Sequence, residues 1–250
     1  RMAHLETIAG GHVTTPGGFR AGAVSAGIKR YAPDALDLGI LVSDEPCVAA
    51  GMFTTNLVKG APVIVTQRHL SDRIARGIVA SSGCANVATG ARGIADAEEM
   101  AALAAARLGC DASDLAVCST GHIGQFLPMD LIRAGIAKIE PQPEGGMALA
   151  RAIMTTDTRP KHLAARFEVD GRSYHIGGIA KGSGMIHPNM ATMFAFLTSD
   201  APLGSDYASA VLRRVVDRTF NMISIDGDTS TSDTVLLLAN GSAGGTPIDE

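Results

Sequence analysis

The stretch Lys181–Phe196, KGSGMIHPNMATMFAF, joins a glycine- and proline-containing turn to an apolar run, and Ala191 and Thr192 stand at the join. A threonine hydroxyl is a weak nucleophile at neutral pH and needs a base close by. If the peptide bond before Thr192 is cut, the new α-amino group, with a reference pKa of roughly 7.7–8.0, supplies that base on the same residue. Attack of the hydroxyl on its own preceding carbonyl would do the cutting. Ala191 leaves that carbonyl sterically open, and Gly182, Gly184 and Pro188 favour a tightly turned approach. The plain alternative is that Thr192 only begins a strand, as threonines commonly do.

A tetrahedral oxyanion needs donors that are already in place when charge develops. The segment CSTGHIG offers a hydroxyl at Thr120 and an unhindered amide at Gly121, just after an apolar run. Taken alone it is an ordinary turn. Lys181 is suited to pairing with a substrate carboxylate, and Thr155 in IMTTDTRPK to donating a hydrogen bond; the bland readings are a solvated lysine and a surface threonine.

Other familiar patterns fail. In GGIAKGSG the lysine precedes its glycine, so there is no GxxxxGK[ST] phosphate loop. DGDTSTSD begins like a calcium loop from Asp226, but its sixth position is Thr231 and its twelfth Leu237, where glycine and glutamate are needed. The seven histidines form no HExxH, and Cys84 with His122 makes at most a remote dyad. No cofactor or metal is expected.

The 250 residues suffice for one large domain or two small ones. With 46% hydrophobic and 18% charged residues the chain should fold compactly. Lys and Arg total 21 against 25 acidic residues, so nothing gathers phosphate backbones, and nucleic acid is excluded as a partner. No apolar run has the roughly 18 residues of a spanning helix, and RMAHLETIAGG lacks the features of a signal peptide, so the expectation is no membrane and a cytoplasmic location. Cys47, Cys84, Cys110 and Cys118 form no CxxC and read as buried small apolar residues.

The elements that must position these residues are partly legible. GFRAGAVSAGI, LDLGILVS, CVAAGMFTT and APVIVTQ are β-type runs; LAVCSTGHIG and DTVLLLAN are strands. IADAEEMAALAAARLG carries Met100, Leu103, Ala104 and Leu108 at helical spacing, with Gly109 as its stop. MDLIRAGIAKI and ALARAIMTTD are helical, the second weakening at Thr155-Thr156, and PQPEGG between them is a linker candidate. HLAARFEVDGRSYHIGGIAKG is a hairpin turning at Asp170-Gly171, which delivers Lys181 at its far end. YASAVLRRVVDRTF is an amphipathic helix presenting Leu212, Val215, Val216 and Thr219, with Ser205 as its cap. Hairpins and separated helices together predict an α+β, layered αββα fold.

Six segments, GFRAGAVSAGIKR, SSGCANVATGARGIADAEEM, STGHIGQFLPMD, RAIMTTDTRPK, GGIAKGSGMIHPNMATM and FNMISIDGDTSTSDTVLLLANG, resemble the ornithine acetyltransferase family, the glutamate N-acetyltransferases, in the family's order and across nearly the whole chain. The resemblance implies a precursor that cuts itself between Ala191 and Thr192, giving an α chain of residues 1–191 and a β chain from 192 onward. Thr192 would take an acetyl group from N-acetylornithine and pass it to glutamate in ping-pong fashion, with acetyl-CoA as a further co-substrate in bifunctional members. Thr120 and Gly121 match the family's oxyanion-hole pair, and Thr155, Lys181 and Thr192 its substrate contacts. The implied fold is the αββα sandwich shared with self-cleaving aminopeptidases, and the implied assembly is an α2β2 heterotetramer. Family members also draw a glutamate, an asparagine and a threonine from a longer β chain. This sequence, ending at Glu250, has no residues to match them, so 192–250 reads as the start of a truncated β chain. Two other readings stay open: a threonine-nucleophile amidase or aminopeptidase that uses water as acceptor, and an unprocessed, non-catalytic binding subunit.

Overall fold

The computed structural model describes residues 5–184, 193–226 and 230–249. Its spine is β3, Leu38–Phe53, which merges two of the expected strands. Asp44 and Glu45 are exposed midway along it, and the register against β4 (Ile74–Cys84) shifts between Val42 and Cys47. Before the shift β3 pairs with β2 (Phe19–Val24) and β4; beyond it, from Val48 to Phe53, it pairs with β9 (Thr234–Ala239). One strand thus serves both halves of the sheet.

Nine strands among the described residues form that sheet, in the order β1-β6-β7-β8-β9-β3-β4-β5, with β2 on β3. The remaining members are β1 (Leu5–Thr7), β5 (Leu115–His122), β6 (Lys161–Val169), β7 (Arg172–Lys181) and β8 (Phe194–Ser199). Two of the pairings are parallel, β4 with β5 and β8 with β9, and each has its helix in the connection: α2 (Gly90–Leu108) and α5 (Ser205–Arg218).

Alternate side chains along a strand face opposite ways, and this period separates the core into layers. Leu41, Ile78, Ala116, Cys118, Ile179, Phe194, Phe196, Leu236 and Leu238 share a central cluster, drawn from both halves of the sheet. Their neighbours Ile40, Val79, Leu115 and Val117 face α2 and α3 (Met129–Ile136) on one outer side. Ala195, Val235 and Leu237 face Ala208, Leu212 and Val216 of α5 on the other. The result is helix, sheet, sheet, helix, as predicted. Phe194 and Phe196 are fully buried in the central layer with ring centroids 5.7 Å apart.

The hairpin forms as expected: Asp170 and Gly171 both have positive φ (50° and 78°), and β6 and β7 pair throughout. Gly109 ends α2 in a left-handed conformation. Four expectations are corrected. APVIVTQ is a helix, α1 (Ala61–His69): the extended Gly60 caps it, Pro62 fits its first turn, and its buried Val63, Val65 and Thr66 pack where strand preference counts for less than tertiary contact. PQPEGG is no linker, since Gln142 and Ala21 exchange backbone hydrogen bonds at 2.8 and 2.9 Å and tie it to β2. Ser205 is the first helical residue of α5, behind Gly204, and makes no side-chain cap. Val215 lies outside that helix's buried stripe and is 43% exposed, while Thr219 turns its hydroxyl back on the Val215 carbonyl.

β4 is an addition: its small residues Ala75, Gly77, Ala80, Ser81, Ser82 and Gly83 show no alternation to announce a strand. The cysteines are free, with Cys47, Cys84 and Cys118 buried and Cys110 half-buried. No helix among the described residues is long and apolar enough to cross a membrane. Ala191 and Thr192, where the α and β chains were expected to divide, lie outside the described residues.

Candidate active site

Three chain segments spread over some sixty residues of sequence converge at one end of the sheet. β5 ends in Thr120, Gly121 and His122; the loop after α4 (Gly146–Ala152) carries Thr155; and β7 ends at Lys181. Thr120, Gly121, Thr155 and Lys181 line one cavity of about 650 Å³, together with Tyr31, His122, Thr156, Gly184 and Ser230–Ser232. The structure therefore brings together every expected site residue that it describes. A smaller groove of about 360 Å³ against β6, β7, β8 and Phe220 is almost wholly apolar and shows no such convergence.

Lys181 is 3% exposed, and its Nζ donates to Thr120 Oγ1 at 3.2 Å. An ammonium can only donate, so the threonine oxygen accepts and its own proton remains available for a third group. Burial lowers the Lys181 pKa to about 8, against the opposing pull of Asp157 and Asp233, while Lys161 and Lys29 add to the lowering. The ammonium sits 5.9 Å from the centroid of the Phe194 ring, its register partner on β8.

Gly121 lies opposite Gly83 on parallel β4 and has φ +133°, a conformation that strains an L side chain. A Cβ there would overlap the carbonyl carbon of Gly83 and the amide nitrogen of Cys84. Only glycine allows the two strand ends to approach this closely. His122 is pinned beside it: its Nδ1 lies 3.1 Å from the Gly83 carbonyl, which requires the proton on Nδ1, and its ring meets Tyr31 edge-on at 6.1 Å.

Asp157 was not singled out in the sequence. Its side chain is fully buried; it accepts the Gly182 amide at 2.9 Å, pairs with Lys161, and meets the Thr155 amide at 3.4 Å. Burial pushes its carboxyl up, but Lys161, the Gly182 amide and the Lys181 charge together hold it below the usual range. The loop behind Thr155 is held by Ser82, which donates to the Ala152 carbonyl, and Thr156 and Ser183 bridge across it with oxygens 2.7 Å apart. The only sequence signal for Asp157 was its place in TTDTRPK, between hydroxyls and two cations.

β8, which begins two residues after Thr192 in sequence, enters the same region. Thr192 and Ala191 lie outside the described residues, but Met193 is buried, and the next residue, Phe194, is paired with Lys181. Met193 donates its amide to Asp233 at 2.8 Å and accepts from the Thr234 amide at 3.1 Å. Among the described residues no group of three or more His, Cys, Asp and Glu side chains could hold a metal ion.

Residues 20–250 match the model of the ArgJ family. The arginine biosynthesis bifunctional protein ArgJ of Symbiobacterium thermophilum is 52% identical over 242 residues, covering 96% of this chain and 60% of that protein. The chain thus spans about three fifths of the length of the curated relatives it matches. The ArgJ crystal structure from Bacillus halodurans superposes with a TM-score of 0.72 at 42% identity, covering 76% of this chain and all of that one. An ornithine acetyltransferase from Mycobacterium tuberculosis, solved with ornithine, gives 0.69 at 40% identity over 74% of this chain and 98% of its own.

Proposed function

Because this chain belongs to the ArgJ family, we propose that the protein transfers an acetyl group from N-acetylornithine to glutamate, using Thr192 as nucleophile after cutting itself between Ala191 and Thr192. The observation that carries the proposal is the convergence of Thr120, Gly121, Thr155 and Lys181 on one cavity, with the amide adjoining Thr192 fastened beside it. The ornithine bound by the Mycobacterium tuberculosis relative supports the choice of substrate. The Bacillus halodurans chain, matched in full by 76% of this one, has the length expected of an α chain ending near Ala191.

In the cutting step the Thr192 hydroxyl attacks the Ala191 carbonyl, the acyl group shifts from nitrogen to oxygen, and water splits the ester into the Ala191 carboxylate and a free Thr192. Its α-amine then takes the hydroxyl proton as the oxygen attacks the acetyl carbonyl, and returns the proton to the departing ornithine nitrogen. The Thr120 hydroxyl and Gly121 amide meet the oxyanion, and Lys181 meets a substrate carboxylate. Glutamate's amine next attacks the acetyl-threonine, and the hydroxyl is restored. The exchange runs between two amides of similar energy, so no activated donor is needed while water stays out. No cofactor enters these steps.

The test uses the protein at the full length of its relatives, incubated with N-acetylornithine and glutamate. N-acetylglutamate and free ornithine should form together; free acetate alone would overturn the transfer in favour of a threonine-nucleophile amidase. N-terminal sequencing of the two fragments should find one that begins TMFAF. The reading extends to a cytoplasmic α2β2 heterotetramer and to acetyl-CoA as a second donor, checked by light scattering and by N-acetylglutamate formation from acetyl-CoA and glutamate.

A further inference from the structure

Asp233 directly precedes β9 and is fully buried, at the level where the first residues of β8 and β9 lie side by side. Its Oδ1 accepts the Met193 amide at 2.8 Å, whereas its Oδ2, equally buried, has no hydrogen-bond partner among the described residues. A rigid shell surrounds it: Thr54 donates its amide to the Asp233 carbonyl at 3.0 Å and its hydroxyl to the Ser230 carbonyl at 2.6 Å, and the Ser230 hydroxyl accepts the Ser232 amide at 3.1 Å. A buried carboxylate oxygen without a donor is destabilising, and natural cores rarely retain one without use. This one stands against an amide that is joined to Thr192 by a single peptide bond.

We propose that Asp233 is a positioning residue for the Thr192 chemistry: Oδ1 fixes the Thr192–Met193 peptide, and Oδ2 is kept for a donor that exists only after the chain is cut, the α-ammonium of Thr192. The proposal rests on the reading of Thr192 as nucleophile. A buried carboxylate behind a catalytic base stabilises the protonated base as it forms without itself reacting. Here the base is the α-amine, which gains its proton from the hydroxyl as the acetyl group arrives. Among the described residues the charged group facing Asp233 is Lys181 on β7; Met193 on the β8 side, Ser230 and Thr54 bring no titratable side chain. Burial pushes the Asp233 carboxyl up to about 7, against the Met193 amide, the neighbouring Ser230 hydroxyl and the Lys181 charge. An ammonium placed at Oδ2 would draw it back toward the charged form.

The experiment compares full-length wild type with Asp233→Asn and Asp233→Ala. Asparagine keeps an acceptor for Met193, so D233N should still cut itself, while its kcat falls at little-changed KM. Without the carboxylate the α-ammonium loses its proton more easily, and the acid limb of the kcat profile should move down by about one pH unit or more. D233A, lacking both oxygens, should cut slowly on a denaturing-gel time course. A D233N enzyme with wild-type kcat and pH profile overturns the proposal. So does a folded D233N that stays uncut, or a fall in kcat with the limb unmoved. If circular dichroism shows D233N unfolded, D233E decides: with charge retained, kcat should fall while the limb stays, and the opposite pattern overturns the proposal. A wild type that forms no N-acetylglutamate defeats the underlying reading instead, and is distinguishable on that ground.

Discussion

The Asp157 carboxylate accepts the Gly182 amide at 2.9 Å, so the loop that carries Thr155 is fastened to the residue that follows Lys181. Two candidate substrate contacts from segments with no sequence proximity are thereby held in one frame by a single buried side chain.

Replacing Asp157 with alanine should leave the Gly182 amide unsatisfied and cost about 1–3 kcal/mol at neutral pH. The folded-state pKa of Asp157 is depressed below its ordinary 3.8, so its contribution is present above that value and is lost as pH falls through the folded pKa. Urea melts of wild type and D157A should therefore differ at pH 7 and converge in strong acid.

Lys181 has a pKa of about 8 in the fold against 10.5 for an ordinary lysine. Below about 8 it is charged and above that neutral; if, as proposed, the charge pairs with a substrate carboxylate, KM for glutamate should rise through this region while Lys181→Met shows a high, flat KM. Between the two values the unfolded chain holds a proton that the folded chain has lost. This group consequently makes stability rise with pH across that window, a slope that K181M should lack.

Thr120→Val removes the hydroxyl proton left over after Lys181 has donated to the oxygen. Loss of one oxyanion donor typically costs about 10²–10³ in kcat. Steady-state kinetics of the full-length variant should show that fall with KM nearly unchanged, and self-cutting should slow in parallel.

Gly121→Ala forces a side chain into the backbone of Gly83 and Cys84 at φ +133°. Strand ends cannot yield as a flexible side chain can, so the variant should lose both activity and several degrees of Tm by thermal denaturation. Wild-type behaviour would show that the two glycines are farther apart than described.

β8 and β9 lie inside the sheet, between β7 and β3, although they follow Thr192 in sequence. Cutting after Ala191 should leave the two chains locked by strand pairing on both sides. They should co-elute on native size exclusion and separate only in denaturant.

The turn at Asp170-Gly171, the amphipathic spacing of α2 and the order of the reactive segments were legible because each rests on local chemistry: a positive φ, a period of 3.6, a short run of residues around one hydroxyl. The reading of Thr192 as nucleophile also rests on local features, a hydroxyl and an adjoining peptide bond, and Thr192 itself lies outside the described residues. What tertiary structure decided was the meeting of segments. α1 is a helix despite its β-branched residues because Thr66 exchanges hydrogen bonds with the Val117 backbone and its neighbours bury against β5 and α2. Asp157 and Asp233 acquire their roles only when distant amides are delivered to their carboxylates, Gly182 to one and Met193 to the other. Such long-range pairing leaves no period or spacing in the chain, because the energy that selects it comes from burial shared among residues far apart in sequence.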